Sequence, residues 1–165
     1  MMEIPLSELR ENLRACLSVQ RWIDDVVLAA PFDDVAQLLA VAHDAATPLS
    51  PAEIDEAIAH HPRIGEKPQG EGAAQDFSRS EQAGLGEDES ESGLAAAIAA
   101  GNGAYEDRFG RVFIIRAAGR TRAEILEELE RRLELPNSTE LEIVGEQLRE
   151  IALIRLEKIY GRELP

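Results

Sequence analysis

Apolar residues recur along this chain almost everywhere at helical spacing, three or four positions apart. Leu9, Leu13 and Cys16 share one such face, with Ser7 placed as a cap. A second face carries Trp22, Ile23, Val26, Val27 and Ala30, with Ser18 before it and Pro31 as its stop. Asp33 or Asp34 opens a third helix through Leu38, Leu39, Val41 and Ala42, with His43 near its end. Ser50-Pro51-Ala52-Glu53 combines a cap serine, proline at the first helical position and a glutamate suited to a capping box. That helix buries Ile54, Ala57 and Ile58. It ends at about His60, because Pro62 disfavours helical backbone at His61.

Residues 65–76 read as a Gly-rich loop and residues 84–93 as an acidic turn, with a helix start near Ser78 or Ser80 between them. An Ala-rich helix spans Leu94 to Tyr105. Arg108 to Ile115 is the one β-like stretch, too little for a sheet, and reads as an extended piece buried among helices. Thr121-Arg122-Ala123-Glu124 is a second capping box, opening a helix with Leu126, Leu129 and Leu133. Pro136-Asn137 closes it, and a last helix runs from about Thr139 to Tyr160. The expected architecture is all-α: one domain over residues 1–165, with roughly seven or eight helices and a short extended segment near 110–116.

Charge narrows the function. With 17 Lys and Arg against 32 Asp and Glu, the formal charge is −15, unlike a nucleic-acid binder or a protein drawn to an anionic membrane. Cys16 is the single cysteine and sits on an apolar face, so it reads as a structural thiol in a reducing compartment. No apolar run reaches membrane-span length, and the start lacks the order of a signal peptide, so a cytoplasmic protein is expected.

Three places could carry chemistry. His60-His61-Pro62-Arg63-Ile64-Gly65-Glu66 gathers two of the three histidines, a guanidinium and a carboxylate within seven residues. The residues allow a plain helix end, an imidazole acting as acid or base, or a metal site of His60, His61 and Glu66; adjacent histidines ligate one ion poorly. Ser78, Glu81 and Gln82 suit a pocket wall and equally a helix N-terminus. Arg155 falls within the apolar stripe Val144, Leu148, Ile151 and Ile159. A buried guanidinium needs an acid or an anionic ligand, so a structural ion pair and a substrate contact both fit.

Taken together, His61-Pro62-Arg63-Ile64-Gly65, Ser78-x-x-Glu81-Gln82, Asn102-x-x-Tyr105-x-x-Arg108-Phe109-Gly110-x-x-Phe113 and Ile151-x-x-Ile154-Arg155-Leu156 resemble the OHCU decarboxylase family. OHCU is 2-oxo-4-hydroxy-4-carboxy-5-ureidoimidazoline. The resemblance runs from Trp22 and Pro31-Phe32 to the final helix. It implies an all-α, cofactor-free and metal-free enzyme, often dimeric, that forms (S)-allantoin at the third step of urate breakdown, after urate oxidase and hydroxyisourate hydrolase. It implies a catalytic His61 with Glu81 as its acidic partner. It also implies a pocket of Pro62, Ser78, Gln82, Arg155 and the backbone of Phe113, Ile114 and Ile115. Phe77 stands where the family often has tryptophan, and His60 inherits no role. An inactive relative that only binds a ureido compound, a lyase for a related ureido acid, and a metal hydrolase using His60, His61 and Glu66 are the alternatives.

Overall fold

The structure is a computed structural model that describes residues 2–59 and 92–161. Seven α-helices lie among the described residues: α1 (Leu6–Cys16), α2 (Gln20–Leu28), α3 (Val35–Ala45), α4 (Pro51–Ile58), α5 (Ser92–Phe109), α6 (Arg122–Leu133) and α7 (Asn137–Tyr160). No strand occurs among them, so the fold is all-α as expected. They group into two compact units, one of residues 2–59 with 145–161 and one of residues 92–144.

In the first unit, α1 packs on α2 and α2 on α3. Leu9, Leu13, Cys16, Trp22, Ile23, Val26 and Leu38 are all essentially removed from solvent. Burying an apolar side chain of this size contributes roughly 1.5–3 kcal/mol, so these faces dominate the stability of the unit. Polar groups tie the helices at their edges. Trp22 Nε1 donates to the Ala42 carbonyl at 2.9 Å, which satisfies the indole inside the core. Arg21 joins three helices, donating to Glu53 through Nε at 2.6 Å, to Asp25 at 2.8 Å and to the Ala45 carbonyl at 2.8 Å. On α7, buried Gly145 leaves room for Ile54, whose Cδ1 would lie 3.6 Å from a Cβ at that position.

The two capping boxes form as the sequence predicts. Ser50 Oγ accepts from the Glu53 amide at 3.1 Å while Glu53 Oε1 accepts from the Ser50 amide at 2.9 Å. Thr121 and Glu124 repeat the arrangement at 3.1 and 2.9 Å. Asp34, of the two aspartates considered, is the cap of α3. Ser7 and Ser18 are not caps: Pro5 and Val19 occupy those positions with no side-chain bond. Extended backbone at Val19 and fixed φ at Pro5 start these helices instead, and packing of the apolar face holds them.

In the second unit α5 runs four residues past Tyr105, to Phe109, so Arg108 and Phe109 are helical and not part of the extended stretch. The helix stops at Gly110, whose φ of +71° suits glycine. Residues 112–117 carry neither helix nor strand. Their buried members Phe113, Ile115 and Ala117 join Ile98, Tyr105, Ile125 and Leu129 in one apolar cluster between α5 and α6. The inward face of α6 is Ile125, Leu129 and Arg132, while Leu126 and Leu133 are partly buried at its margin. The apolar period is therefore completed by an arginine.

Two glycines of α5 should respond oppositely to alanine. A Cβ at Gly101 would lie 2.4 Å from Leu129 Cδ2, whereas nothing lies within 4 Å of one at Gly103. Gly103→Ala should stabilise by roughly 0.5–1 kcal/mol through helix propensity. Gly101→Ala should lose about 1–3 kcal/mol to overpacking of a fully buried leucine. Urea midpoints of the two variants check the sign.

Acid sensitivity should be traceable to the Arg21 hub. The hydrogen bond from Arg21 holds the Glu53 carboxyl below its ordinary value, and the Ser50 amide adds to the effect. A carboxyl depressed in the folded state contributes stability that is complete above its unfolded value, about 4.3, and is lost as pH falls through the folded value. Glu53→Gln should therefore be less stable than wild type at pH 7 and show a shallower fall below about pH 4.5. Denaturant midpoints measured from pH 7 to 3 read both effects.

Candidate functional site

The residues expected to form the site fall in three groups. His61, Pro62, Ser78, Glu81 and Gln82 lie outside the described residues, as do His60 and Glu66 of the metal alternative. Phe113, Ile114 and Ile115 lie in the second unit, and Arg155 lies in the first.

Arg155 is 3% exposed on α7, between buried Ile151, Ala152 and Leu156. The apolar stripe had placed it inside, and it is inside. Its Nη1 donates to the carbonyl of Ala15, at the C-terminal end of α1, at 3.2 Å. Carbonyls in the last turn of a helix have no partner within it, so a guanidinium is well matched to that end. Around it, Asn12 Nδ2 donates to the Tyr160 hydroxyl at 2.8 Å, joining α1 to the last turn of α7. Arg155 is thus a cation anchored on two helices of one unit.

The backbone of Phe113, Ile114 and Ile115 is held within the second unit. All three are buried, at 1%, 3% and 6% exposure. Under them lies a polar network that the sequence reading did not anticipate. Arg132 and Glu140 are both fully buried. Arg132 Nε lies 2.8 and 3.0 Å from the two Glu140 oxygens, and its Nη2 also donates to Glu140 Oε1. The remaining nitrogen, Nη1, donates to the Ile114 carbonyl at 2.8 Å. The Tyr105 hydroxyl donates to Glu140 Oε1 at 2.6 Å. The guanidinium carbon stands 4.6 Å over the Phe113 ring, and Phe113 meets Tyr105 edge-on at 5.1 Å. Burial, and then the hydrogen bond to Glu140, push the Tyr105 phenol above its ordinary range, so it stays a neutral donor.

A signal for this pair was present in the sequence. Arg132 follows Ile125 and Leu129 at helical spacing, as Arg155 follows Leu148 and Ile151. Glu140 is in the first turn of α7, where an acid is common for dipole reasons alone, and this masked its role.

Two further features are not parts of the expected site. A cavity of about 250 Å³ in the first unit is lined by Met2, Leu9, Pro31, Phe32 and their neighbours and contains none of the expected site residues. Among the described residues no group of three His, Cys, Asp or Glu could hold a metal ion, and no helix is long and apolar enough to cross a membrane.

This arrangement defines a class: an all-helical protein with a strip of non-helical backbone pinned from beneath by a buried arginine. Comparison with known proteins takes the assignment further. The family model for OHCU decarboxylase matches residues 3–157, and the chain belongs to that family, a family of carboxy-lyases. The Uric acid degradation bifunctional protein TTL of Arabidopsis thaliana is 38% identical over 109 residues. The match covers 64% of this chain and spans 33% of the relative's own length. Among solved structures, the chain is similar to OHCU decarboxylase crystallised in the presence of (S)-allantoin, at 24% identity and a TM-score of 0.75, covering 92% of this chain and 98% of that one. It is also similar to (S)-allantoin synthase, at 18% identity and a TM-score of 0.64, covering 94% of this chain and 50% of that one. Both structural likenesses show the same all-α fold.

Removing one partner of the Arg132–Glu140 pair leaves an uncompensated charge inside the second unit. Glu140→Ala should cost about 3–5 kcal/mol, far more than Glu124→Ala at the exposed end of α6. Thermal unfolding of the two variants side by side tests the difference.

Proposed function

We propose that this protein decarboxylates OHCU to (S)-allantoin, without a cofactor, in the breakdown of urate. The observation that carries this reading is the family match over residues 3–157; the sequence resemblance assigns the motif positions to His61, Glu81, Gln82 and Arg155. On this reading residues 1–165 work as one OHCU decarboxylase-like domain.

The substrate carries a carboxylate on a carbon next to a ring C=N. When the bond to the carboxylate breaks, CO2 leaves and the electron pair passes into the C=N, onto nitrogen. The hydroxyl-bearing carbon, now double-bonded to the former C=N carbon, becomes a carbonyl as its hydroxyl gives up its proton, and the former C=N carbon, which bears the ureido group, takes up a proton. The ring is its own electron sink, so the protein needs to supply position, proton transfer and handedness. His61, poised by Glu81, handles the proton at the hydroxyl or the ring. Gln82 selects the ring by hydrogen bonds, Arg155 orients the polar ring and ureido groups, and Ser78 and Pro62 line the pocket. The amides of Phe113, Ile114 and Ile115 face the ureido and ring oxygens. OHCU also decays without an enzyme, to racemic product, so the protein must outpace that decay and present the proton to one face only.

The same reading includes a cytoplasmic location, a homodimer, and coupling to urate oxidase and hydroxyisourate hydrolase. An unstable intermediate passed between three enzymes favours short transfer distances.

The test is a coupled assay. OHCU is generated from urate by the two upstream enzymes, this protein is added, and circular dichroism is followed. Rapid growth of a single-sign allantoin signal, insensitive to chelator, is expected. His61→Ala should lose about 10²–10⁴-fold in rate, the usual worth of a positioned acid or base, and keep its fold. Slow racemic decay unaffected by the protein would overturn the decarboxylase reading and favour a module that binds a ureido compound without turnover.

A further inference from the structure

The buried Arg132 does more than its ion pair with Glu140 requires. A guanidinium paired with a carboxylate is satisfied electrostatically by that partner alone. Here the third nitrogen, Nη1, is spent on one backbone carbonyl, that of Ile114, at 2.8 Å. The Ile114–Ile115 peptide is trans, because the cis bonds among the described residues are Ala30–Pro31 and Thr47–Pro48. In a trans peptide the C=O and the following N–H point in opposite directions within one plane. Fixing the Ile114 oxygen toward Arg132 therefore fixes the Ile115 N–H away from it.

That N–H is the second observation. Ile115 is 6% exposed, and its N–H has no backbone acceptor among the described residues. A backbone N–H held in one direction by a cation on its carbonyl side is a prepared donor. A cation on the carbonyl side also polarises the amide and strengthens the bond its N–H can make. Arginine suits this task because its planar fork reaches the Glu140 carboxylate and the Ile114 oxygen together; a lysine ammonium does not span both in one plane.

We propose that Arg132 is a positioning residue for the decarboxylase: it aims and polarises the Ile115 N–H at an acceptor oxygen or nitrogen of the substrate's ring or ureido group. Glu140 neutralises the cation, and the Tyr105 hydroxyl holds Glu140 from the other side. The inference rests on the decarboxylase reading and adds to it the residue that sets one of the backbone donors. No bond of the reaction is made or broken by Arg132.

The experiment compares Arg132→Lys with wild type and with Gly101→Ala, a destabilised variant of the same unit that leaves the Ile114 contact alone. Enantiomeric purity of allantoin, kcat and KM are measured below each variant's unfolding transition. The Ile115 amide shift is followed in 15N-labelled protein titrated with (S)-allantoin. We expect Arg132→Lys to lower kcat/KM at least tenfold, to lower enantiomeric purity and to abolish the Ile115 shift. Gly101→Ala should keep purity and shift at wild-type values. If Arg132→Lys does not fold, the double variant Arg132→Met with Glu140→Leu replaces it, since exchanging a buried pair for apolar residues together preserves folding far better than breaking it. The same losses are expected there. Unchanged purity and an unchanged Ile115 shift in a folded Arg132 variant overturn the inference, as do losses in Gly101→Ala equal to those in the Arg132 variant. A wild-type protein that leaves allantoin racemic overturns the decarboxylase reading, and this inference with it.

Discussion

A cation enclosed by apolar helices has to be neutralised where it stands, and the second unit is built around that demand. Arg132 completes the inward face of α6, beside Ile125 and Leu129, with no exposure to water. Glu140 answers it from the first turn of α7, Tyr105 from near the C-terminal end of α5, and the Ile114 carbonyl from the non-helical stretch between α5 and α6. Each partner lies on a different part of the chain, so one unsatisfied charge would disturb all of them. Replacing such a pair by apolar groups is often no loss in stability, so its value here is better sought in what it orients than in what it stabilises. What it orients is backbone: a strip with no helix of its own, held by a carbonyl bond on one side and by the Phe113 ring against the guanidinium on the other.

The first unit solves the same problem with less burial. Arg21 sits at the edge and gathers α2, α3 and α4 through Glu53, Asp25 and the Ala45 carbonyl, where water can still reach it. Its pairs are open to screening by salt, which reaches the enclosed pair much less. Arg155 stands between these cases, buried like Arg132 yet anchored in part on the end of a helix, the Ala15 carbonyl. The chain therefore uses its arginines in three ways: an open clamp, a buried pair, and a cation on a helix terminus. The proposed chemistry draws on the two buried ones, where low local dielectric makes each charge count for more.

Much of this was legible in the residues. Period placed the helices, and the capping signals at Ser50 and Thr121 placed two helix starts to the residue, because those motifs bring both partners of each bond within four positions. The motifs by themselves point to the decarboxylase family, since four ordered motifs constrain far more than one. Local signals failed where the cause was not local. Ser7 and Ser18 looked like caps because serine favours that position, but packing of Leu9 and Trp22 set the helix starts elsewhere. Arg108 and Phe109 looked like part of an extended stretch because the residues after them are β-branched and aromatic. Phe109 instead stays helical, its ring packed at a tilt against Tyr105 one turn earlier with centroids 4.7 Å apart, until Gly110 releases the chain.

By itself, then, the sequence determined the helical class, most of the apolar face of the first helices, the burial of Arg155 and the family, all of which depend on spacing within a short window or on ordered motifs; on α6 it pointed to Leu126 and Leu133 where Ile125 and Arg132 turn inward. Only the tertiary structure decided who meets Arg132. Its partners are eight residues away at Glu140, eighteen at Ile114, and across α5 at Tyr105, and no periodicity couples positions on separate elements. A buried charge announces that it needs a partner; which partner it finds is settled by the packing that brings the elements together.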